Sequence, residues 1–472
     1  MKPEIKHARF PGQLGMVGFG SIGQATLPLL FRHLEIQPQQ IRIVAANEGN
    51  AAIARESGVA FTRQTLTREN YRAVLEPLLG KGDFLLNLSV DVSSLALIEL
   101  CRRRDALYLD ASIEPWVGGY TDSSKPVSQR TNYALREEVL AYGRVNGSGP
   151  TAVVTQGANP GLASMFVKQA LLDVALDGGL AVKKPACHED WARLARLLGI
   201  KAIHIAERDT QTTARRKRRG EFVNTWSVEG FISEGLQPSE LGWGTHERHW
   251  PADGARHESG CDAAIYLNRP GAATQVRSWT PLEGPYHGLL ITHGETISIA
   301  DHLTLRENGA AVYRPTVNYA YHPCDDALLS MHEMAGRNWQ PQRDQRIIRD
   351  EIAAGMDELG VLLMGSAKGV YWYGSRLSIE QARQLAPYNN ATSMQVAAGV
   401  LGGMVWALRN PRAGVVEPDD LDYEVVLEIA KPYLGEVVGV YGDWTPLRDR
   451  GRPFSEELDR DDPWQFSNMR VT

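Results

Sequence analysis

Three glycines near the start of the chain have a spacing suited to contact with a phosphate group. Gly18, Gly20 and Gly23 follow the pattern G-x-G-x-x-G, after the apolar segment 14–17 and before apolar residues at helical spacing. In such a turn the first glycine allows the sharp bend, the second lets a pyrophosphate approach the backbone, and the third lets the helix pack closely. Because the helix start also offers free N–H donors, the sequence predicts a dinucleotide site here.

The carboxylate that would complete this motif is Glu48, at the end of a second predicted strand, 41–46. Glu48 lies slightly further from Gly23 than the roughly 20 residues of a typical unit. Its carboxylate would accept hydrogen bonds from the adenosine ribose and repel a 2′-phosphate. No Arg or Lys follows before Arg55, so the sequence favours NAD over NADP. The alternative is that Glu48 is an ordinary surface turn residue.

The composition excludes several classes of protein. A chain of 472 residues is too long for a single core and predicts two or three domains. Its formal net charge of −6 argues against a dedicated nucleic-acid binder. The four cysteines contain no C-x-x-C pair, so neither a disulfide framework nor a zinc finger is indicated. The N-terminus lacks an apolar signal core. The apolar segment 394–408 is shorter than the roughly 20 residues of a membrane span. We therefore expect a cytoplasmic protein without a membrane contact.

Strand and helix patterns alternate from residue 14 to 156, which predicts an α/β fold with an N-terminal Rossmann-type, doubly wound parallel sheet. Ligands of such sheets bind at the carboxyl ends of the strands. Polar residues follow these ends, and we expect the cofactor and the substrate to meet there. The predicted strands are 14–17, 41–46, 83–88, 106–109 and 151–155, with helical stretches such as 68–79 and 94–103 between them.

The less regular sequence from about 180 to 316 is rich in Trp, His and acidic residues and predicts an inserted α+β domain with an antiparallel sheet. The motif Asn159-Pro160-Gly161 precedes it, at the start of a predicted helix over 162–174. Helices are expected again from 325, including 344–356 and 391–408, and the last is apolar enough to pack back on the first domain. The predicted domains are 1–157, 158–370 and 371–472.

Three longer stretches carry a more specific signal: HIAERDTQ at 204–211, NTWSVEGFISEG at 224–235 and ITHGETISI at 291–299. With them, the chain resembles the bacterial homospermidine synthases over essentially its whole length. That family is similar to saccharopine and carboxynorspermidine dehydrogenases. The resemblance therefore implies a Rossmann domain, an inserted catalytic and dimerisation domain, a C-terminal helical return and a homodimer.

The resemblance also implies a redox-neutral use of NAD. One putrescine loses a hydride and becomes an imine, a second putrescine attacks the imine carbon, and ammonia leaves. The hydride then returns to give homospermidine, so NAD stays tightly bound and is recycled within the cycle. Spermidine can replace the first putrescine, in which case diaminopropane leaves instead of ammonia.

Acidic and aromatic residues at the matching positions suit a diamine substrate. A diamine at neutral pH is a dication with an apolar middle, and an unpaired ammonium in apolar surroundings is very costly. Glu207 and Glu234 are the expected ammonium anchors. Trp226 is expected to stabilise the charged imine by a cation–π contact, worth on the order of 2 kcal/mol when desolvated. Each of the three also has a simpler interpretation as a core, turn or surface residue.

His293 and Glu295 flank Gly294 in a predicted strand, which would place both side chains on one face. Such a pair can relay a proton, and deprotonation of an ammonium before hydride transfer requires a base. A hydrogen-bonded core position is the alternative for His293. Asp91 and Asn159 follow strand ends and are assigned polar positioning roles, where a substrate amine would reach the nicotinamide.

The candidate cofactor-binding residues lie in the glycine turn and at the strand ends. No metal is expected, because the histidines of the chain lack matching second ligand pairs at a recognised spacing. The basic run ARRKRRG at 214–220 lies in an acidic chain without an aromatic pattern and is expected to be an exposed loop. The cofactor-binding candidates are Gly18, Gly20, Ser21, Ile22, Gly23, Asn47, Glu48, Ser89, Asp110, Ala111 and Asn159.

Two other functions stay open on the sequence. A related reductase would form a secondary amine from an aldehyde and an amino acid with NAD(P)H; its substrate carries a carboxylate, and Arg208 is a possible partner for it. A regulator that binds NAD and contacts DNA through the basic run would give no role to the segments around Trp226, Glu234 and His293. The sequence also leaves open the preferred donor, the proton acceptor of each step and the route of ammonia release.

Overall fold

The first part of the chain is built on a parallel sheet. Strands that follow Leu14–Val17 in sequence are added first on one side of it and then on the other, so a crevice opens beside it at this switch point. Every neighbouring pair runs parallel, which confirms the predicted Rossmann-type sheet. In this computed structural model, which describes residues 5–471, the seven strands lie in the order Ala60–Arg63, Ile41–Ala45, Leu14–Val17, Phe84–Asn87, Leu107–Asp110, Gly149–Val153 and Ala413–Val416.

Helices cover both faces of this sheet. All residues of Leu14–Val17 and Phe84–Asn87 are buried, because parallel strands covered on both faces are apolar throughout. The helix expected over 68–79 is shorter, since Pro77 cannot continue its hydrogen bonding and lies in a separate 3₁₀ turn. The helices of this part are Ser21–His33, Ala51–Glu56, Tyr71–Leu75, Ser94–Arg104 and Asn132–Asn146.

A second, larger sheet lies in the middle of the chain. Its central strand Ala202–Asp209 runs parallel to Thr316–His322 and antiparallel to Met356–Ser366. The α+β expectation is confirmed, but the sheet is mixed and not purely antiparallel. Parallel neighbours need a long crossover, and more than a hundred residues separate these two strands. Among residues 5–471 the sheet has ten strands: Gly254–Arg256, Ala264–Pro270, Pro238–Gly242, Thr316–His322, Ala202–Asp209, Met356–Ser366, Gly369–Ser378 and Glu436–Gly442 in order, with Gln275–Thr280 and Gly284–Leu289 attached at one side.

Short strand pairs, further helices and 3₁₀ turns complete the fold. The pairs are Ala8–Arg9 with Leu34–Glu35, Thr212–Thr213 with Ile352–Ala354, Glu221–Asn224 with Asp344–Ile347, and Leu305–Glu307 with Ala310–Tyr313. The helices are Leu162–Asp177, His188–Leu197, Val228–Leu236, Gly294–His302, Asp325–Gly336, Ile379–Leu385, Ala391–Arg409, Tyr423–Ala430 and Phe466–Met469. The 3₁₀ turns are Pro38–Gln40, Glu76–Leu78, Val127–Gln129, Gly271–Ala273, Pro418–Asp420 and Lys431–Tyr433.

The helix predicted over 344–356 is wrong. The strands Asp344–Ile347 and Ile352–Ala354 occupy that segment. Asp344–Ile347 pairs in parallel with Glu221–Asn224, the strand that leads into Trp226. A charged segment with scattered apolar residues fits either period, and here the pairing partner decides between them.

The C-terminal part returns to both sheets. The predicted helix over 391–408 is confirmed as Ala391–Arg409, which packs on Ser21–His33 of the first domain, and Ala413–Val416 then adds an edge strand to the first sheet. However, Glu436–Gly442 pairs with Gly369–Ser378 in the second sheet. The domain limits stay predictions, and the expected one at residue 370 falls inside a strand.

The apolar helix Ala391–Arg409 is, within residues 5–471, the one helix long and apolar enough to cross a membrane by length and composition. Its most apolar window is 89% buried inside the protein. A core helix packed between two layers has this composition because apolar neighbours surround it.

A buried ion-pair network ties the first domain to the second. Arg136, on Asn132–Asn146, donates to both carboxylate oxygens of Glu417 at 2.7 and 2.6 Å, and to Asp301 at 3.0 Å. The Arg136 side chain is only 7% exposed. Asp301 lies on Gly294–His302, and Glu417 follows the returning edge strand, so three separate parts of the chain meet at one guanidinium.

We predict that Arg136→Met lowers the free energy of unfolding by about 3–5 kcal/mol, because it leaves buried carboxylates without their partner. Urea denaturation is the measurement. The matched control is Arg193→Met, whose exposed pairs with Glu189 and Asp190 contribute at most about 1 kcal/mol. Equal losses in the two variants would contradict the role given to Arg136.

Candidate active site

A pocket of about 130 Å³ lies where the carboxyl edge of the first sheet meets the second sheet. Eight of the predicted site residues line it, which are Ile22, Ser89, Ala111, Asn159, Glu207, Trp226, Glu234 and His293. They come from seven separate segments of the chain, so only the tertiary fold brings them together. Asn87, Leu88, Val90, Ser112, Glu114, Pro160, Ser227, Gly230, Tyr319, Thr392 and Val396 complete the lining.

Glu207 is the most deeply placed acid of the pocket. It lies on the central strand of the second sheet and is 1% exposed. The amide of Asn159 and the hydroxyl of Tyr319 both donate to its Oε2, the hydroxyl at 2.5 Å. Burial raises the pKa of Glu207 to about 8, although these hydrogen bonds oppose the shift. The Glu207 carboxyl therefore keeps its proton to a higher pH than an ordinary glutamic acid.

Trp226 forms one wall of the pocket, in the turn between Glu221–Asn224 and Val228–Leu236. Its indole N–H donates to the hydroxyl of Tyr321 at 3.2 Å. A Cβ on Gly230 would lie 2.9 Å from the indole ring, so the ring rests against bare helix backbone there. These contacts hold the indole in one orientation.

Hydrogen bonds from the surrounding structure fix the turn that contains Trp226. Thr225 donates its hydroxyl to the buried carboxylate of Asp209 at 2.9 Å. The side-chain amide of Asn390 donates to the carbonyl of Thr225. Ser227 accepts from the backbone N–H of Gly230 at 2.9 Å and begins the following helix. Hydrogen bonds thus hold the residues on both sides of Trp226, Thr225 and Ser227, in place.

His293 lies between two carboxylates. Its Nε2 is 3.3 Å from Glu234 and its Nδ1 is 3.4 Å from Glu295. Burial disfavours the charged imidazole, but the two carboxylates outweigh burial and raise the pKa of His293 to about 10. His293 is therefore an imidazolium at neutral pH and is better suited to donate a proton than to accept one.

The strand predicted for His293 and Glu295 is wrong. A helix begins at Gly294, with His293 at its N-cap. The short apolar stretch after Glu295 fits a buried helix as well as a strand, which periodicity alone does not separate. The two side chains are nevertheless close in the first turn of the helix, with Nδ1 of His293 3.4 Å from Oε1 of Glu295. Glu295 is 1% exposed and lies behind His293, outside the pocket lining.

Glu114 is a third acid in the pocket that the sequence analysis did not select. Burial raises its pKa to about 8. Asp91, a predicted site residue, lies outside the lining; its backbone N–H donates to Glu114 at 3.3 Å. Asp91 has a left-handed backbone, with φ of 62°, which turns this N–H toward Glu114. Nothing in the spacing of the sequence marks Glu114, because it follows its strand by several residues.

Two further residues missed by the sequence analysis are Tyr319 and Tyr321, on Thr316–His322. Alternation along the strand puts both rings on one face, where they stack with centroids 5.2 Å apart. Tyr319 contacts Glu207 and Tyr321 contacts Trp226, so one strand supports both predicted cation-binding groups. Their alternation with apolar residues is typical of any buried strand and carries no signal of function.

The glycine turn has the geometry that the motif predicts. Gly18 has φ of +84°, and a Cβ there would lie 2.6 Å from the carbonyl oxygen of Leu88. At Gly23 a Cβ would lie 3.0 Å from the ring of Phe19. Gly20, at the N-cap of the helix Ser21–His33, has no atom within 4 Å of such a Cβ. The protein leaves space at Gly20, which fits a phosphate on the helix start.

The remaining cofactor candidates are divided. Asn47 and Glu48 are exposed beyond the second strand, and Glu48 lies 3.9 Å from Arg63 of the neighbouring strand. Ser89 and Ala111 line the pocket. Asp110 does not: it is fully buried, accepting from the hydroxyl of Tyr108 at 2.7 Å and the backbone N–H of Thr155 at 2.6 Å. Asp110 supports the edge of the sheet beneath the pocket.

The basic run lies in a loop away from the pocket. Arg216 pairs with Asp326 at 2.9 Å, and Lys217 pairs with Glu333. Both acids are on the helix Asp325–Gly336, so this helix neutralises part of the run. In residues 5–471, no group of three or more His, Cys, Asp or Glu side chains is arranged to hold a metal ion.

Known proteins match the chain over almost its full length. The Saccharopine dehydrogenase C-terminal domain family matches residues 157–443, and the Saccharopine dehydrogenase NADP binding domain family matches residues 14–153. Homospermidine synthase of Blastochloris viridis is 55% identical over 468 residues, which cover 98% of each chain. The chain belongs to the homospermidine synthase family. Its resemblance to that family is thereby confirmed.

Two further relatives agree with this assignment. Homospermidine synthase of Mesorhizobium japonicum is 51% identical over 472 residues, with 98% of this chain and 97% of the relative covered. The crystal structure of homospermidine synthase from Legionella pneumophila in complex with NAD superposes with a TM-score of 0.92 at 51% identity, covering 98% of each chain. The fold is therefore shared throughout and not only in the nucleotide-binding part.

We predict that Gly20→Val abolishes NAD binding while the protein stays folded, because the added side chain enters open space that a pyrophosphate needs. Isothermal titration with NAD measures the binding, and thermal unfolding measures the fold. The matched control is Gly336→Val, at the end of Asp325–Gly336, where a Cβ also meets open space far from the turn. Retained NAD affinity in Gly20→Val would contradict the role of the glycine turn.

Proposed function

We propose that this protein is a homospermidine synthase, which transfers the aminobutyl group of putrescine or spermidine to putrescine through imine intermediates. The observation that carries this proposal is the pocket itself. It lies at the carboxyl edge of a Rossmann-type sheet and contains three carboxylic acids and an indole, that of Trp226, held by a hydrogen bond. Family membership at more than half identity over the whole chain supports the same activity.

The charge of the pocket suits a diamine. Glu114, Glu207 and Glu234 are acids around a lining that is otherwise mostly apolar or uncharged, and His293 is the one cationic group among the described lining residues. A dication entering this pocket would provide counter-charge for the buried carboxyls of Glu114 and Glu207 in their ionised form. We propose Glu207 and Glu234 as the ammonium anchors, with Glu114 as a third acid for the second amine.

Trp226 is proposed to stabilise the iminium carbon. A positively charged imine forms before and after attack of the second putrescine, and an indole face attracts such a charge. The hydrogen bond to Tyr321 and the contact with Gly230 fix the face that the ring presents. An indole has no basic nitrogen, so proton transfer is assigned to other groups.

The shifted pKa values of Glu207 and His293 support a different proton-transfer role for each residue. Glu207, with its pKa raised to about 8, is a stronger base than an ordinary carboxylate once ionised, and we propose that it takes the proton of the donor ammonium. His293 has a raised pKa, and we propose that it protonates the leaving amine, with the carboxylate of Glu295 3.4 Å from its other nitrogen. This assigns to His293 the acid role in place of the base role expected from the sequence.

NAD is the proposed cofactor. When bound, it accepts a hydride from the donor carbon and later returns it. Gly18, Gly20, Ser21, Ile22 and Gly23 would hold the pyrophosphate side, and Ser89, Ala111 and Asn159 would lie near the reacting end. Asn47 and Glu48 would contact the ribose; the open space at Gly20 and the exposed carboxylate of Glu48 fit this assignment.

The saccharopine-type reductase is the weaker candidate. Its substrate carboxylate needs a cationic partner, and the described pocket lining contains neither Arg nor Lys. Arg208, which kept this alternative open, points to the opposite face of its strand from Glu207. It lies 3.3 Å from Asp325 and 3.8 Å from Glu283. We further propose that the protein acts as a homodimer in the cytoplasm, without nucleic acid as a partner.

The deciding experiment is incubation of the purified protein with putrescine and catalytic NAD. We expect homospermidine and ammonia without lasting accumulation of NADH, measured by mass spectrometry of the amines and by absorbance. Trp226→Ala should abolish most turnover, and Trp226→Phe should retain part of it because a weaker cation–π contact survives. Stoichiometric NADH without a coupled amine would instead indicate an ordinary amine dehydrogenase.

We predict that Tyr321→Phe lowers kcat by about tenfold, the scale of one lost buried hydrogen bond, with little change in KM for putrescine. The indole loses the acceptor of its N–H and with it the fixed orientation toward the iminium. The matched control is Tyr313→Phe, which removes a buried hydroxyl that donates to the carbonyl of Ile200 at 2.8 Å, outside the pocket. An equal change in kcat for both variants would contradict the positioning role of Tyr321.

A further inference from the structure

A small side cavity opens behind Glu234 and His293. It shares Glu114, Glu234 and His293 with the main pocket and extends from there toward Tyr120, Asn132 and Gln237. Its volume is about 20 Å³, against about 130 Å³ for the main pocket. A cavity of this size has room for one molecule as large as water. Neither putrescine nor diaminopropane fits in it.

The lining of the side cavity contains a buried hydrogen-bond acceptor without a partner among the described residues. Gln237 is 2% exposed, and its Oε1 has no hydrogen-bond partner among the described residues. The side-chain N–H₂ of Gln237 donates to the hydroxyl oxygen of Ser233 at 3.4 Å, which leaves Oε1 as the unpartnered end of the amide. The hydroxyl of Tyr120 is already committed as a donor to the carbonyl of Ile113 at 2.8 Å. A small ligand that carries a hydrogen-bond donor, such as ammonia, would satisfy the Oε1 of Gln237.

We propose that the side cavity receives the ammonia that leaves the donor imine, with Gln237 as its acceptor. The inference rests on the proposed function, because only that reaction releases a molecule of this size in the pocket. Glu234 and His293 line both cavities, so the side cavity adjoins the main pocket at the residue proposed to protonate the leaving amine. In this proposal, ammonia occupies the side cavity while the second putrescine occupies the main pocket.

The step balances without an added reactant. The nitrogen of the second putrescine forms a bond to the imine carbon, and the bond from that carbon to its first nitrogen breaks with the electron pair staying on the leaving nitrogen. The proton lost by the attacking amine equals the proton gained by the leaving one, and His293 is placed to carry it. The charged imine thus exchanges one nitrogen for another, and nothing is oxidised or reduced in this step.

The test measures recapture of ammonia. The holoenzyme is incubated with putrescine and ¹⁵N-labelled ammonium, and ¹⁵N-putrescine is measured by mass spectrometry beside homospermidine. Gln237→Met keeps the length of the side chain but removes its acceptor, and Ser233→Ala, which loosens the amide of Gln237, is the second variant. We expect the ratio of ¹⁵N exchange to homospermidine formation to fall about tenfold in Gln237→Met, the scale of one lost hydrogen bond.

The choice of donor separates this role from structural damage. With spermidine as donor the leaving group is diaminopropane, which does not fit the side cavity, so the ratio of putrescine-donor to spermidine-donor rates should fall in Gln237→Met. The matched control is Gln342→Met, since Gln342 is 3% exposed, has an unpartnered Oε1 among the described residues and lines neither cavity. Equal losses with both donors, or wild-type exchange, would overturn the inference. Absence of homospermidine in the wild-type reaction would instead overturn the proposed function.

Discussion

The hydrogen bond from Asn159 to the buried carboxyl of Glu207 joins the two sheets at the point where the pocket forms. Asn159 follows the carboxyl end of a strand in the first sheet, and Glu207 lies on the central strand of the second. A carboxyl that is 1% exposed is costly without partners, so this contact fixes the distance between a Rossmann-type edge and an acidic wall. Tyr319 donates to the same carboxyl and stacks on Tyr321, whose hydroxyl accepts from the indole N–H of Trp226.

Buried acids are concentrated beneath this junction. Asp209 lies two residues beyond Glu207 on the same face, and Asp357 is directly opposite Asp209 on the neighbouring strand. Burial raises the pKa of Asp209 to about 6 and also raises that of Asp357, so these carboxyls are not all ionised together. These carboxyls thus keep their protons to a higher pH than exposed ones. The proposed diamine site and the proposed base, Glu207, both depend on this concentration of acids.

Local features of the chain were predictable because neighbouring residues produce them. The glycine turn, the strand that precedes it and the apolar helix Ala391–Arg409 lie where the sequence placed them, within a few residues. The helix expected over 344–356 failed because a distant strand, Glu221–Asn224, offered a pairing partner. The strand expected at His293 failed because a short apolar run fits both periods, and the helix there packs against the second sheet.

The sequence by itself determined the nucleotide-binding turn, the doubly wound sheet and the family, since each depends on spacing along the chain. Only the tertiary structure decided which acids meet. It brought Glu114 into the pocket, left Asp91 beside it and Asp110 beneath it, and set His293 between Glu234 and Glu295. The proton-transfer roles that we propose for Glu207 and His293 depend on that arrangement, because a pKa depends on burial and on nearby charges, and packing sets both.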